Sequence, residues 1–219
     1  MTIHTVMIFT RFERFWHWSQ AALIFTLLFT GAAIHGLHQL VDFRTAVLVH
    51  SLSAISLILL WLFAIFWHLT TGTWRHYIPT TSGLLRIARF YAYGIFKGEQ
   101  HPYRKRYWRK HNPLQALTYL ALKLFLFPTI WLSGLGYLFY GLWQSRVPPA
   151  SGLLELTASI HTAAAYAILV FVILHVYLLT TSGSFLAHLK PMLSGYDKIE
   201  LTDAEWAYLR EDESNKIKQ

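Results

Sequence analysis

No cysteine occurs in this chain. That removes disulfides, iron–sulfur clusters, thiolate zinc sites and the Cys-x-x-Cys-His motif of covalent haem attachment from the chemistry its own side chains offer. Charge is scarce as well: Asp, Glu, Lys and Arg make up only 14% of the 219 residues, against roughly 25% in a soluble globular domain. Acid is the scarcer sign, with 11 Asp and Glu beside 19 Lys and Arg. Without cysteine, any metal chemistry must rest on the 12 histidines; no acid/base or nucleophile constellation suited to substrate chemistry stands out, so a separate catalytic subunit is expected.

What is present is apolar. Hydrophobic residues account for 54% of the chain and aromatic ones for 16%, and they gather in four stretches, 15–37, 45–69, 114–142 and 153–181. Each exceeds the roughly 20 residues a helix needs to cross a bilayer. Lipid offers the backbone no hydrogen bonds, so such spans must be helices, and their Leu, Ala, Phe and Ile content lacks the alternation of a barrel strand. The expected fold is all-α, an integral membrane four-helix bundle over residues 1–190 followed by a polar tail at 191–219. The first stretch, preceded by Arg11 and Arg14, has a core of about signal-peptide length. Three further spans follow it with no soluble domain to export, so it is expected to be retained.

The positive charge is unevenly placed. Sixteen of the nineteen Lys and Arg precede the first stretch, lie between the second and third, or follow the fourth. The opposite loops hold Arg44 and Arg146, and Lys123 lies inside the third stretch. The positive-inside rule then puts both termini and the loop 71–111 in the cytoplasm. The net charge of +8 therefore reflects topology, and without a DNA-binding motif no nucleic-acid partner is expected. Within the loop, residues 83–96 place Arg86 and Arg89 three apart in an apolar run interrupted by Gly94, the pattern of an interfacial helix. In the tail, 201–212 reads as a short helix capped by Thr202.

Ionisable groups inside spans are costly and mark function. Four histidines sit in or at the ends of the stretches at matching depths. His17 lies near the cytoplasmic start of the first and His175 near the inner end of the fourth; His50 and His161 lie near the outer ends of the second and fourth. Fourteen residues separate His161 from His175, a rotation of about 1400°, close to four full turns, and a rise of roughly 21 Å. Both imidazoles thus leave one face. Met at each depth by a histidine from a neighbouring helix, they describe two stacked bis-histidine sites; imidazole suits iron, and a planar haem slots between bundle helices. The plainer reading of any one membrane histidine is an interhelical hydrogen bond. His68, eighteen residues beyond His50 and on the same face, is a rival to His17, although Trp67-His68-Leu69-Thr70 also fits an interfacial aromatic belt. The remaining histidines fall in loops, where solvation is the default.

Before the third stretch the chain reads Arg109-Lys110-His111-Asn112-Pro113-Leu114-Gln115. Pro113 suits the first turn of a helix and Asn112 its cap, which leaves Gln115 over. Amide donors at the membrane boundary suit the two carbonyl oxygens of a quinone.

The ordered set Arg14-Phe15-Trp16-His17-Trp18, His50, Asn112-Pro113-Leu114-Gln115, and His161 with His175 resembles the bacterial di-haem cytochrome b family. That family includes the membrane subunits of formate dehydrogenase, nickel-iron hydrogenase and thiosulfate reductase. The likeness covers about residues 9–196. It implies two haem b groups, ligated by His17 with His175 on the cytoplasmic side and by His50 with His161 on the outer side. It also implies a menaquinone or ubiquinone site near Asn112 and Gln115, beside the inner haem. Leu114 departs from the glycine of the formate enzyme. Electrons are then expected to pass between quinone and an outward-facing iron–sulfur, multihaem or molybdenum-type redox subunit. Arg44 and Arg146 are candidates for haem propionates, and Lys123 is expected to face the bundle or a partner. The other readings are a proton-relay transporter and a passive anchor; Pro128 is the one evident helix breaker.

Overall fold

The computed structural model describes residues 2–100, 102–103, 107–146, 150–180 and 185–218. Of the loop histidines and the cytoplasmic Lys and Arg, His101, Arg104, Lys105 and Arg106 lie outside these, as do Thr181 at the end of the fourth stretch and the side chain of His188. The elements run β1 (Thr2–Met7), α1 (Arg11–Ile34), α2 (Phe43–Thr71), α3 (Leu84–Ala92), α4 (Pro113–Ala121), α5 (Phe127–Leu138), α6 (Tyr140–Trp143), α7 (Ala150–Thr180), α8 (Phe185–Ser194), β2 (Tyr196–Leu201) and α9 (Asp203–Glu211). Among the described residues four helical runs are long and apolar enough to cross a membrane: Arg11–Ile34, Phe43–Thr71, Pro113–Leu138 and Gly152–Thr180. The mostly helical, four-span architecture is the one the apolar stretches predict.

Helix starts are set by side chains that satisfy the free N–H groups of a first turn. Thr10 and Glu13 form a reciprocal capping box at α1: the Thr10 N–H donates to the Glu13 carboxylate at 2.9 Å and the Glu13 N–H to the Thr10 hydroxyl at 3.3 Å. Asp42 accepts from the Thr45 N–H at 3.0 Å ahead of α2, and Thr202 with Glu205 makes another capping box at α9.

The third span carries a defect with a readable cause. Pro128 has no N–H to give the carbonyl of Leu124 and its ring crowds that oxygen. Residues Leu122–Leu126 widen into a single π-turn, in which the Phe127 N–H reaches back to the Leu122 carbonyl. The helix is thus widened rather than broken. It stops at Leu138, short of the expected 142, because Phe139 leaves helical geometry and α6 restarts as a separate turn. There the Trp143 indole N–H is folded back onto the Gly136 carbonyl at 2.9 Å.

The chain divides into two compact units, one formed by Met1–His17, Phe66–Leu120 and Val176–Gln219, the other by Trp18–Ile65 and Ala121–His175. In the first, β1 and β2 pair antiparallel from Thr2 opposite Leu201 to Met7 opposite Tyr196. Val6, Ile199, Leu201, Leu209 and Tyr107 form a buried core there. Gly195 turns the chain into β2 at φ 90° with the Phe9 carbonyl 2.7 Å from where a Cβ would stand, so only glycine fits. The polar C-terminal segment is therefore strapped to the N-terminus, a pairing that the tail reading did not contain. Inside the same unit Glu13 accepts hydrogen bonds from the Tyr77 hydroxyl and the Lys110 ammonium. Both partners of this ion pair are buried, with 8% of the Lys110 and 2% of the Glu13 side chain exposed.

The second unit is the bundle proper. Trp61 of α2 holds three helices together: its indole N–H donates to Gln20 of α1 at 3.1 Å, and its ring meets Phe127 and Trp131 edge-on at 3.9 and 4.9 Å. The helices keep many large apolar side chains on their outer faces, Phe25, Leu59, Leu132 and Val170 among them, as a lipid-facing bundle requires.

Candidate functional site

Two of the four expected ligands meet in the second unit. His50 of α2 and His161 of α7 face each other with ring centres 6.3 Å apart and planes at 67°. Both are partly buried. Each ring is held by the helix that packs against it. The His50 Nδ1 lies 3.0 Å from the Thr30 hydroxyl of α1, and the His161 Nδ1 lies 3.1 Å from the Ser133 hydroxyl of α5. Glycine follows each hydroxyl residue and lets the ring approach the helix. A Cβ on Gly31 would stand 3.5 Å from the His50 Cε1, and one on Gly134 would stand 3.1 Å from the His161 Cε1.

This pair fits an axially ligated haem. A metal ion bonded at about 2 Å to a nitrogen of each imidazole would fit between rings at the observed separation of 6.3 Å. Among the described residues no three His, Asp or Glu side chains converge on one point. A porphyrin supplies four equatorial nitrogens, so two protein ligands complete its iron.

The other two expected ligands fall in different units. His17 belongs to the first, beside Trp16, which meets His68 edge-on at 5.4 Å. His175 belongs to the second, where it stacks on Phe171 at 5.7 Å. His68 stands among aromatic rings, with Trp67 and Tyr77 both at 5.2 Å and its Nδ1 2.9 Å from the Thr73 hydroxyl.

Gln115 is not surplus to the fold. It completes a capping box at α4, taking the Asn112 N–H at 3.1 Å while its own N–H donates to the Asn112 side-chain oxygen at 2.9 Å. Asn112 is 4% exposed, and its side-chain nitrogen donates to the Tyr91 hydroxyl at 3.3 Å. Burial pushes that phenol above its ordinary range. His111 is flanked by Tyr77 at 5.3 Å and Tyr119 at 4.6 Å. Arg44 and Arg146 are exposed, and Lys123, on the π-turn, is exposed too.

Sequence reasoning missed Thr30 and Ser133, which read as ordinary small polar residues of apolar spans. The one signal was their shared context, a hydroxyl residue followed by glycine on each helix that faces a ligand. It also missed the Glu13–Lys110–Tyr77 cluster, whose members lie far apart in the chain.

Comparison with known proteins shows the family. Residues 8–195 match the family model described as prokaryotic cytochrome b561. The chain is 30% identical over 198 residues to the Escherichia coli (strain K12) protein named "Putative cytochrome YdhU", covering 88% of this chain and 75% of that one. No solved structure matches.

Proposed function

Because the chain belongs to the prokaryotic cytochrome b561 family, whose members are haem-b membrane cytochromes that transfer electrons, we propose that it is the di-haem membrane subunit of a respiratory oxidoreductase complex. In this reading it carries electrons between a quinone pool, menaquinone or ubiquinone, and a redox subunit on the outer face of the bacterial inner membrane. Both termini and the loop 71–111 are cytoplasmic, as the charge distribution favours. The outer partner is an iron–sulfur, multihaem or molybdenum-type protein.

One observation carries the reading: His50 and His161, on different helices, confront each other at the spacing of a bis-imidazole site. These two residues would hold one haem b, and His17 with His175 would hold the other. When bound, haem supplies a one-electron couple that the protein tunes through its axial ligands and their surroundings. The chain's contribution is placement. His161 and His175 share α7, whose rise of roughly 21 Å between them spaces two stations through the apolar layer. The lipid-facing side chains exclude water from the bundle, so the environment of each imidazole is set by protein groups.

Asn112 and Gln115 are the amide pair proposed for the quinone head group. Their oxygens close the helix cap and the Asn112 side-chain nitrogen donates to Tyr91, so the remaining side-chain N–H donors, those of Gln115 and the second hydrogen of Asn112, are the part suited to quinone carbonyls. An absorption spectrum of the reduced purified protein tests the haem reading, with the α-band of a low-spin cytochrome b expected and a colourless preparation fatal to it. Addition of a quinol to the oxidised protein is expected to reduce the haems, and a quinone-site inhibitor to slow that reduction severalfold. Reduction insensitive to any such inhibitor would move the function to transfer between two proteins. A transporter reading is disfavoured by the third span, which is widened at Leu122–Leu126 and not interrupted.

The choice of inner ligand has its own test. His17→Ala is expected to lose one haem per chain, whereas His68→Ala keeps both. The reverse pattern, read as haem per protein, would transfer the ligand role to His68.

A further inference from the structure

The surroundings of His50 and His161 are built alike on two unrelated pairs of helices. Thr30 of α1 grips His50 of α2, and Ser133 of α5 grips His161 of α7. In each case the hydroxyl also lies against its own helix backbone, four and three residues back. The Thr30 hydroxyl is 2.7 Å from the Thr26 carbonyl and 3.3 Å from that of Leu27. The Ser133 hydroxyl is 2.6 Å from the Thr129 carbonyl and 3.2 Å from that of Ile130.

A proton count decides the direction of the remaining bond. A hydroxyl has one hydrogen and two lone pairs, and a carbonyl only accepts. The hydroxyl's hydrogen goes to the backbone, so it meets the imidazole with a lone pair. The imidazole must then be the donor, with its hydrogen on Nδ1. In a neutral ring with its proton on Nδ1, the lone pair available to a metal is on Nε2. The neighbouring glycines bring the ring close to its clasp, so the ring is oriented as well as protonated in one way.

We propose that Thr30 and Ser133 are positioning residues that lock His50 and His161 with the proton on Nδ1, present both Nε2 lone pairs to one haem iron, and hold down that haem's potential. This rests on the haem reading above. An imidazole that donates from Nδ1 is a more basic ligand through Nε2, and a more basic ligand favours the ferric over the ferrous ion. The clasp therefore sets a low potential for this haem by the same hydrogen bonds that aim its ligands.

The test uses the purified full chain and the variants Thr30→Val, Ser133→Ala and their double, with Thr30→Ser and Ser133→Thr as conservative controls. Redox titration and low-temperature electron paramagnetic resonance are the readouts. The double variant is expected to raise the midpoint potential of one haem and shift its g-values, the other haem staying as in wild type. The two conservative variants are expected to match wild type. Loss of that one haem from the double variant, with retention in the conservative pair, supports the same conclusion. An unchanged potential and spectrum in the double variant overturns it, as do equal shifts in the conservative variants. If the wild-type protein takes up no haem, the reading beneath fails. The nitrogen-15 spectrum of its histidines then still judges the clasp, two rings protonated on Nδ1 being expected and protonation on Nε2 contradicting it.

Discussion

His161→Ala is expected to remove one haem and spare the other, so that haem per chain in the purified protein falls by half. His50→Ala should cause the same loss, because in the proposed site each histidine would be one of the haem's two protein ligands, and the rings confront each other at 6.3 Å. The expectation is specific in a further way. Replacing imidazole by a methyl group leaves a ring-sized space between α7 and the wall formed by Ser133 and Gly134. The Ser133 hydroxyl still lines that space with a lone pair ready for an N–H, so added imidazole should enter it and restore much of the lost signal. His175→Ala should remove the complementary haem, and His161→Ala with His175→Ala should leave a colourless bundle. The measurement is haem per protein from the reduced pyridine spectrum. If His161→Ala alone lost both haems while helix content stayed intact, the two sites would not be independent, and the assignment of one pair to each would fail.

The spans were legible in the sequence because they depend on one-dimensional properties. Lipid permits no span that leaves its backbone unsatisfied, so hydropathy and length define the helices. The helical repeat then carries His161 and His175 onto one face without reference to any partner. The clasp around the ligands was illegible for the opposite reason. Thr30 reaches His50 and Ser133 reaches His161 only through the packing of one helix on another, and a hydroxyl that bonds its own backbone is common in any apolar helix. Nothing in a single helix distinguishes Ser133 from such a residue.

The amide pair before the third span shows how a partial reading goes astray. Asn112 suits a cap by itself, but asparagine followed three residues later by glutamine is also a capping-box pattern, which takes in Gln115. The structure uses both oxygens for the helix start. The quinone proposal is narrowed to the amide nitrogens, and a preorganised cap becomes the scaffold that would hold them. The strand pairing of Thr2–Met7 with Tyr196–Leu201 was hidden by sequence distance. Six residues with mixed character are too short to declare a strand alone, and the pairing brings together opposite ends of the chain.

Lys110→Met is expected to destabilise the first unit more than any surface substitution, by about 3–5 kcal/mol, because it strands a buried carboxylate beside an apolar side chain. Glu13 would keep the Tyr77 hydroxyl and its capping bonds to Thr10 but lose the only cation that hydrogen-bonds to it among the described residues. Glu13→Gln should also destabilise, since an amide neither neutralises Lys110 nor caps α1 as strongly. The double variant should recover a substantial part of the loss, as expected when neither buried charge remains to be compensated. The Glu13→Gln deficit should depend on pH with a definite sign. Burial already pushes Lys110 below the ordinary lysine range, and Glu13 opposes that shift. Without the carboxylate the folded-state value drops further, so between it and the unfolded value of about 10.4 the unfolded chain binds more protons, and stability rises with pH. Unfolding in detergent followed by tryptophan fluorescence at several alkaline pH values should show the Glu13→Gln deficit narrowing as pH increases. A deficit constant with pH, or a double variant as unstable as the sum of the two singles, would mean that Glu13 and Lys110 do not act as a buried pair.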